Sequence, residues 1–191
     1  MEHFENTLKL LSDAIHSISP DEFNALKDDC LTTLKAGGKL ITSGLGKNVP
    51  ICEKFVGTLN SVGISAAFMH TNSATHGDLG LVKDGDLVIV LTKSGETAES
   101  IYLVSHLKKR KCKIWLLSFN RNNTLYRELQ NHLIVNLAHE GDEWDILPNN
   151  STALNLIVLQ ELAMQLVKEL SIGIDVLRLN HPGGAIGVKL E

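Results

Sequence analysis

The sequence is poor in cysteine and has none of the cysteine spacings that bind zinc. Cys30, Cys52 and Cys112 lie far apart, are odd in number and form no C-x-x-C pair. A disulfide framework requires an even, closely spaced set of cysteines, and a zinc ribbon requires paired ones. The sequence therefore indicates neither class. A reducing compartment fits best, and we expect a cytoplasmic protein.

Long apolar runs and an excess of basic charge are also missing. No apolar stretch is long enough to span a bilayer, and the N-terminal residues MEHFENTLKLL are acidic and amphipathic rather than a basic leader. The formal net charge is −4, whereas a general nucleic-acid-binding protein needs a basic face. We therefore expect neither a membrane protein nor a partner of nucleic acids.

The composition that remains is that of one globular domain. The chain has 191 residues, of which 43% are hydrophobic and 21% charged, enough for a sizeable core. Helical periodicity and a strong helix start at Ser19-Pro20 predict two leading helices in residues 1–36. We predict a single domain over 1–191, with an α/β core and a C-terminal tail in 37–191.

Short apolar runs alternate with helical patterns throughout this core. Five of them predict strands, at residues 39–43, 65–69, 87–91, 113–117 and 132–136. The alternation predicts a parallel sheet with helices on both faces, which is a three-layer αβα sandwich. For five strands we expect the flavodoxin-like order 2-1-3-4-5. Ligands of such folds bind beyond the C-terminal ends of the first and third strands.

Glycine- and hydroxyl-bearing loops follow these two strands, at residues 43–47 (Ser-Gly-Leu-Gly-Lys) and 94–97 (Ser-Gly-Glu-Thr). Each loop opens a helix, whose first N–H groups lack internal partners and carry partial positive charge. Ser94 and Thr97 add hydroxyl donors, and Gly95 lets the backbone approach a ligand closely. We interpret the loops as an anion-binding site, with phosphate as the ligand. The alternative is a capping loop with nothing bound.

Lys47 stands in a loop that departs from the known nucleotide motifs. Ile41 and Asn48 occupy positions where a P-loop needs glycine and Ser or Thr, and Val49 replaces the third glycine of a dinucleotide fingerprint. A lysine is disfavoured in a first helical turn by the dipole. This placement favours a role in stabilising a phosphate or an oxyanion over a surface lysine.

Several other titratable residues fall near the same edge, and each has a plainer alternative. Glu99, early in the helix after the third strand, can complement the helix dipole alone. Glu140 follows the fifth strand and is either a base or part of a solvated acidic loop. His181 is either functional or a structural loop residue. His70 and His76 match no standard zinc spacing, so we expect at most a weak metal contact.

Four sequence blocks together resemble the sugar isomerase (SIS) domain of arabinose-5-phosphate isomerases. They are GLGK at 44–47, HGDLG at 76–80, SGET at 94–97 and HPGGA at 181–185. The resemblance implies the SIS fold and the reversible conversion of D-arabinose 5-phosphate and D-ribulose 5-phosphate, which supplies Kdo for lipopolysaccharide or capsule. It also implies a homotetramer whose sites neighbouring subunits complete.

The resemblance also implies roles for individual residues. Catalytic roles fall on Lys47, Glu99, Glu140 and His181, a substrate contact on His76, and an optional inhibitory zinc contact on His70. Lys93 replaces the asparagine that usually precedes Ser-Gly-Glu, and Asn48 replaces the usual serine after the lysine. Most full-length members carry a pair of cystathionine-β-synthase-type regulatory domains. This sequence stops at Glu191, so we expect a single-domain form without them.

Aldose–ketose isomerisation requires a base that moves a proton between adjacent carbons and a group that stabilises the enediolate. The expected substrate-binding residues are Ser43, Gly44, His76, Ser94, Gly95 and Thr97, with the phosphate on Ser43, Ser94 and Thr97. Glu140 is the expected base, Lys47 the oxyanion stabiliser, and His181 a group for ring opening or proton shuttling. Glu99 is expected to orient Lys47 or His181.

No cofactor is expected for this chemistry. Two alternatives stay open at this point. One is an isomerase acting on a six- or seven-carbon sugar phosphate. The other is a non-catalytic SIS module that binds sugar phosphates and regulates a partner.

Overall fold

The computed structural model describes residues 1–190, and for Leu190 only the backbone. Its sheet consists of strands β1 (Leu40–Gly44), β2 (Ala66–His70), β3 (Leu87–Leu91), β4 (Lys113–Ser118) and β5 (His132–Ile134). All neighbouring strands pair in parallel, in the order β2-β1-β3-β4-β5. The predicted strand order is therefore confirmed.

Helices connect and flank these strands. They are α1 (Glu2–His16), α2 (Pro20–Lys35), α3 (Asn48–Ser61), α4 (Thr71–Ala74), α5 (Ala98–Leu107), α6 (Thr124–Glu128), α7 (Asn150–Glu169), α8 (Ile174–Asn180) and α9 (Gly184–Leu190). A 3-10 turn spans Asp78–Leu81. Among residues 1–190, no helix combines the length and the apolar character needed to cross a bilayer.

Strand β3 lies at the centre of the sheet and shows why the fold has three layers. Its side chains are at most 1% exposed and alternate between the two faces. Leu87, Ile89 and Leu91 join a core with residues of α1, α2, α3 and α7. Val88 and Val90 join a second core with residues of α4, α5 and α6. Because both faces are covered, the strand is apolar throughout.

The short helices are where the structure adds to the sequence prediction. The segment between β2 and β3 contains α4 and the 3-10 turn, and the C-terminal tail contains α8 and α9. Helix α6 was not predicted. It begins where the Asn123 side chain accepts a hydrogen bond from the Tyr126 N–H at 2.7 Å. Helices of five to seven residues are too short to show a periodicity in the sequence.

Candidate active site

A cavity of about 380 Å³ lies between the loops that follow β1 and β3. The residues that line it are Leu45, Gly46, Lys47, Asn48, Leu91, Thr92, Lys93, Ser94, Thr97, Ser100, Pro148, Ser151, Thr152 and Asn155. Both predicted loops therefore meet at one site, because the strand order brings the ends of β1 and β3 together.

Helix N-termini supply three walls of the cavity. Helix α3 begins after Lys47, α5 after Thr97, and α7 after Asn149, and residues of each first turn line the space. In the described part of the chain, neither Lys47 nor Thr97 makes a side-chain capping hydrogen bond. At the start of α3, the N–H groups of Asn48 and Val49 already donate to the carbonyls of Leu45 and Gly46, at 3.0 and 3.2 Å. The dipoles of α3 and α5 and the first N–H groups of α5 thus favour an anion between them.

The polar side chains of the cavity reinforce this preference. Ser94 and Thr97 line it and are able to donate hydroxyl hydrogen bonds to a ligand. Ser151 and Thr152 also line it, but the Thr152 hydroxyl already donates to the Pro148 and Asn149 carbonyls, and the Ser151 side chain is hydrogen-bonded to Glu140. Lys47 is exposed and forms no ion pair with any side chain that the structure describes. A lysine in this position repels the α3 dipole, and an anion in the cavity would relieve that repulsion.

Glu140 lies behind the cavity wall with its carboxylate fully buried. Its Oε2 accepts hydrogen bonds from the N–H groups of Asn149 at 3.0 Å and Ser151 at 2.9 Å, so it caps the start of α7. Its Oε1 is 2.7 Å from the Lys93 ammonium, which lines the cavity. The solvated acidic loop considered above is therefore wrong for this residue, whose side chain is 0% exposed.

These partners set the charge of Glu140. Burial raises the pKa of its carboxyl, but the hydrogen bonds from Lys93 and from Ser151 outweigh burial, and the pKa lies below its ordinary value. Glu140 is thus ionised at neutral pH.

Glu96, in the same loop as Ser94, has a structural role. Its carboxylate accepts hydrogen bonds from the N–H and the hydroxyl of Thr124, at 2.7 and 2.9 Å, and so caps α6.

The expected small residues of the two loops have packing roles in this chain. The Ser43 hydroxyl is buried and lies 2.9 Å from the hydroxyl of Thr71, outside the cavity lining. A Cβ on Gly44 would approach the Asn48 Cβ to 2.9 Å, and one on Gly95, at φ +69°, would overlap Asn123. These glycines therefore allow α3 and α6 to approach the sheet closely.

The remaining predicted site residues lie outside the cavity of one chain. Glu99 is exposed in the first turn of α5, and His76 is exposed just before the 3-10 turn. His181 follows α8, where its Nδ1 donates to the Leu177 carbonyl at 2.9 Å. None of the three lines the cavity.

His70, the predicted zinc contact, ends β2. Its Nδ1 accepts a hydrogen bond from the Asn72 N–H at 3.2 Å. Among the described residues, no group of three or more His, Cys, Asp or Glu side chains is arranged to hold a metal ion.

The sequence pattern predicts the third helix of the site, from Ser151 to about Glu169, but sequence reasoning assigned none of its residues to the site. Residues 148–152 (Pro-Asn-Asn-Ser-Thr) open α7, and Pro148, Ser151 and Thr152 line the cavity. The available signal was the position of this long helix directly after the last strand, which puts its N-terminus at the ligand edge. Lys93 was noted only as an unusual residue, because its contact with Glu140 is not visible in the sequence.

Comparisons with known proteins agree with this geometry. Residues 34–164 match the SIS domain family. Arabinose 5-phosphate isomerase KdsD of Yersinia pestis is 34% identical over 161 residues, which cover 84% of this chain and 49% of that protein. The KdsD of Escherichia coli strain K12 is 34% identical over 153 residues, covering 80% and 47%. The chain thus spans about half the length of the curated relatives it matches.

A solved structure matches over nearly its full length. The c3406 protein of E. coli CFT073, in complex with arabinose 5-phosphate, is 29% identical with a TM-score of 0.87, and the match covers 94% of both chains.

Proposed function

This chain belongs to the SIS domain family, and from that premise we propose that it is an isomerase that interconverts D-arabinose 5-phosphate and D-ribulose 5-phosphate. The observation that carries the proposal is the cavity at which the N-termini of α3, α5 and α7 converge. The names of the KdsD relatives and the arabinose 5-phosphate complex of the E. coli CFT073 protein support the choice of sugar.

The phosphate of the sugar would bind among the helix N-termini. Phosphate oxygens accept hydrogen bonds only, while the first turn of α5 presents N–H donors and Ser94 and Thr97 present hydroxyls. Ser43, an expected phosphate contact, is not included in this proposal, since its buried hydroxyl lies 2.9 Å from that of Thr71, outside the cavity lining.

The carbonyl end of the sugar would lie near Lys47 and Glu140. An ammonium group stabilises the negative charge that develops on the enediolate oxygen, and the unpaired Lys47 is suited to this role. Glu140, ionised at neutral pH, is the proposed base that moves the proton between the two carbons. Its Oε1 lies 2.7 Å from the Lys93 ammonium, which lines the cavity, so the substrate would approach Glu140 beside that ammonium.

We also propose that a second subunit completes each site in a cytoplasmic homotetramer. Glu99, His76 and His181 are outside the cavity lining of one chain, so their proposed roles require a neighbouring copy. Helix α1 exposes Phe4 and Leu8, at 67% and 65%, as an apolar surface for such contacts. The free cysteines support a reducing compartment.

The test is an assay of the purified chain on D-arabinose 5-phosphate and D-ribulose 5-phosphate in the presence of a chelator. We expect interconversion of both, because the proposed chemistry uses protein groups alone. A panel of six- and seven-carbon sugar phosphates serves as the control. Turnover of one of those in place of the pentose would correct the substrate. Binding without turnover of any would identify a non-catalytic module.

A further inference from the structure

Lys93 connects the cavity with the buried carboxylate behind it. It lies two residues after the end of β3, lines the cavity, and places its ammonium 2.7 Å from Oε1 of Glu140. The lysine side chain is 45% exposed whereas that of Glu140 is 0% exposed. The ammonium therefore lies at the boundary between the protein interior and the space where a ligand binds.

Both ends of Lys93 are held in place. Its carbonyl accepts hydrogen bonds from the Ser118 hydroxyl at 3.0 Å and from the Phe119 N–H at 3.3 Å, at the end of β4. Its ammonium is held by Glu140, which is itself fixed by two N–H groups at the start of α7. A charge that is fixed in advance loses little entropy when a ligand arrives.

The Lys93 ammonium also has N–H groups available for a ligand. A lysine carries three N–H groups, and the Lys93 ammonium is ion-paired with a single carboxylate oxygen, Oε1 of Glu140. The carboxylate charge is balanced by the α7 N-terminus as well as by Lys93, so the pair does not cancel the positive potential of the cavity. An exposed pair elsewhere in the chain, Lys108 and Glu128 at 2.9 Å, has both side chains 39% exposed and no such arrangement.

We propose that Lys93 is a phosphate-binding residue of this site and that Glu140 positions its ammonium for the ligand. This inference rests on the proposed sugar-phosphate function. It adds a cation that the sequence resemblance did not assign, at a position where asparagine is usual in that family. The expected consequence is tighter binding of dianionic phosphates than of neutral sugars.

The competing explanation is that Lys93 only neutralises the buried Glu140. Three variants separate the two explanations, with binding of inorganic phosphate measured by titration calorimetry. We expect Lys93→Met to weaken phosphate binding roughly ten- to hundredfold, since a charge-assisted hydrogen bond is lost. Glu140→Gln keeps the ammonium but removes the carboxylate charge that positions it, so phosphate binding should weaken, but less than in Lys93→Met. The double variant leaves no unpaired buried charge, and we expect it to bind as weakly as Lys93→Met.

A double variant that binds phosphate as tightly as the unmodified protein would overturn the proposal, because Lys93 would then matter only as a counter-ion. Lys93→Arg should restore binding, and Lys108→Met is the matched control that should not change it. If Lys93→Met alone fails to fold, the double variant still decides the question.

The measurement is independent of turnover. Lys93-dependent phosphate binding in a chain without isomerase activity would contradict the proposed function and support this role. An active isomerase whose phosphate binding does not depend on Lys93 would support the proposed function and contradict the role of Lys93.

Discussion

The two edges of the sheet each carry a cavity lined by lysines, yet the charges of these lysines are balanced differently. At the N-terminal edge of the strands, a cavity of about 600 Å³ is lined by Lys108, Lys111 and Lys113. Each is ion-paired, with Glu128 at 2.9 Å, Asp84 at 3.4 Å and Asp29 at 2.5 Å respectively.

At the C-terminal edge the cavity is smaller, and Lys47 has no carboxylate partner among the described side chains. The direction of the helices explains the difference. Helices α2 and α5 end at the N-terminal edge, where partial negative charge favours cations, whereas α3, α5 and α7 begin at the opposite edge. Lysines by themselves therefore do not identify an anion-binding site. A lysine beside helix N-termini lowers the stability of the protein when no anion is bound, so its presence there indicates an anion-binding site.

Asp86 shows how fully the N-terminal edge is satisfied. Its buried carboxylate accepts hydrogen bonds from the Lys39 ammonium at 2.6 Å, the Lys39 N–H at 3.0 Å and the Lys83 N–H at 2.8 Å. We therefore expect substitution of Asp86 to reduce stability and spare activity, and substitution of Lys47 at the cavity of α3, α5 and α7 to reduce activity and spare stability.

Glu140→Gln should give the largest effect. Loss of a general base lowers turnover by roughly 10²- to 10⁴-fold, while substrate binding through the phosphate persists. Steady-state kinetics would show a fall in kcat with little change in KM. Near-normal turnover would remove Glu140 as the base.

Lys47→Met should give a somewhat smaller loss, about 10²- to 10³-fold in kcat, because one oxyanion-stabilising group disappears. Thermal unfolding should meanwhile show equal or greater stability, by about 0.3–1 kcal/mol, because a cation leaves the N-terminus of α3. A destabilised variant would mean that Lys47 has a structural partner. The difference between the lysines of the two sheet edges would then be smaller than proposed.

Asp86→Ala should reduce stability and leave activity unchanged. Removing one member of a buried ion pair costs about 3 kcal/mol of unfolding free energy, measured by urea denaturation, and kcat and KM should not change. The matched control is Lys111→Met, whose ion pair is exposed and should contribute less than about 1 kcal/mol. An equal loss in both variants would contradict the difference in burial.

Acidification should produce the smallest effect. Burial raises the pKa of Asp86, but hydrogen bonds from Lys39 and Lys83 outweigh it and hold the pKa below the ordinary value. A lowered pKa stabilises the fold above the unfolded-state pKa of about 4, and that contribution is lost as pH falls further. The stability difference between the unmodified protein and Asp86→Ala should therefore be constant from about pH 7 to about 5 and shrink below about 4. A difference that stays constant to about pH 3 would argue against the ion pair.

The sequence was sufficient for the features that depend on local pattern. Strand β3 has the predicted bounds because an apolar run covered on both faces has few other conformations. The convergence of the loops after β1 and β3 followed from the strand order. The environment of Glu140 could not be predicted, because it depends on Lys93 and on the start of α7, which are close only in the folded chain. The same holds for His181, whose position depends on the unpredicted α8.

The cavity takes its walls from both helical layers, since α3 and α7 pack on one face of the sheet and α5 on the other. A bound phosphate would therefore act as a cross-link between layers that the strands otherwise keep apart. Amide hydrogen exchange in the first turns of all three helices should slow together when ligand binds, and resume together when it leaves.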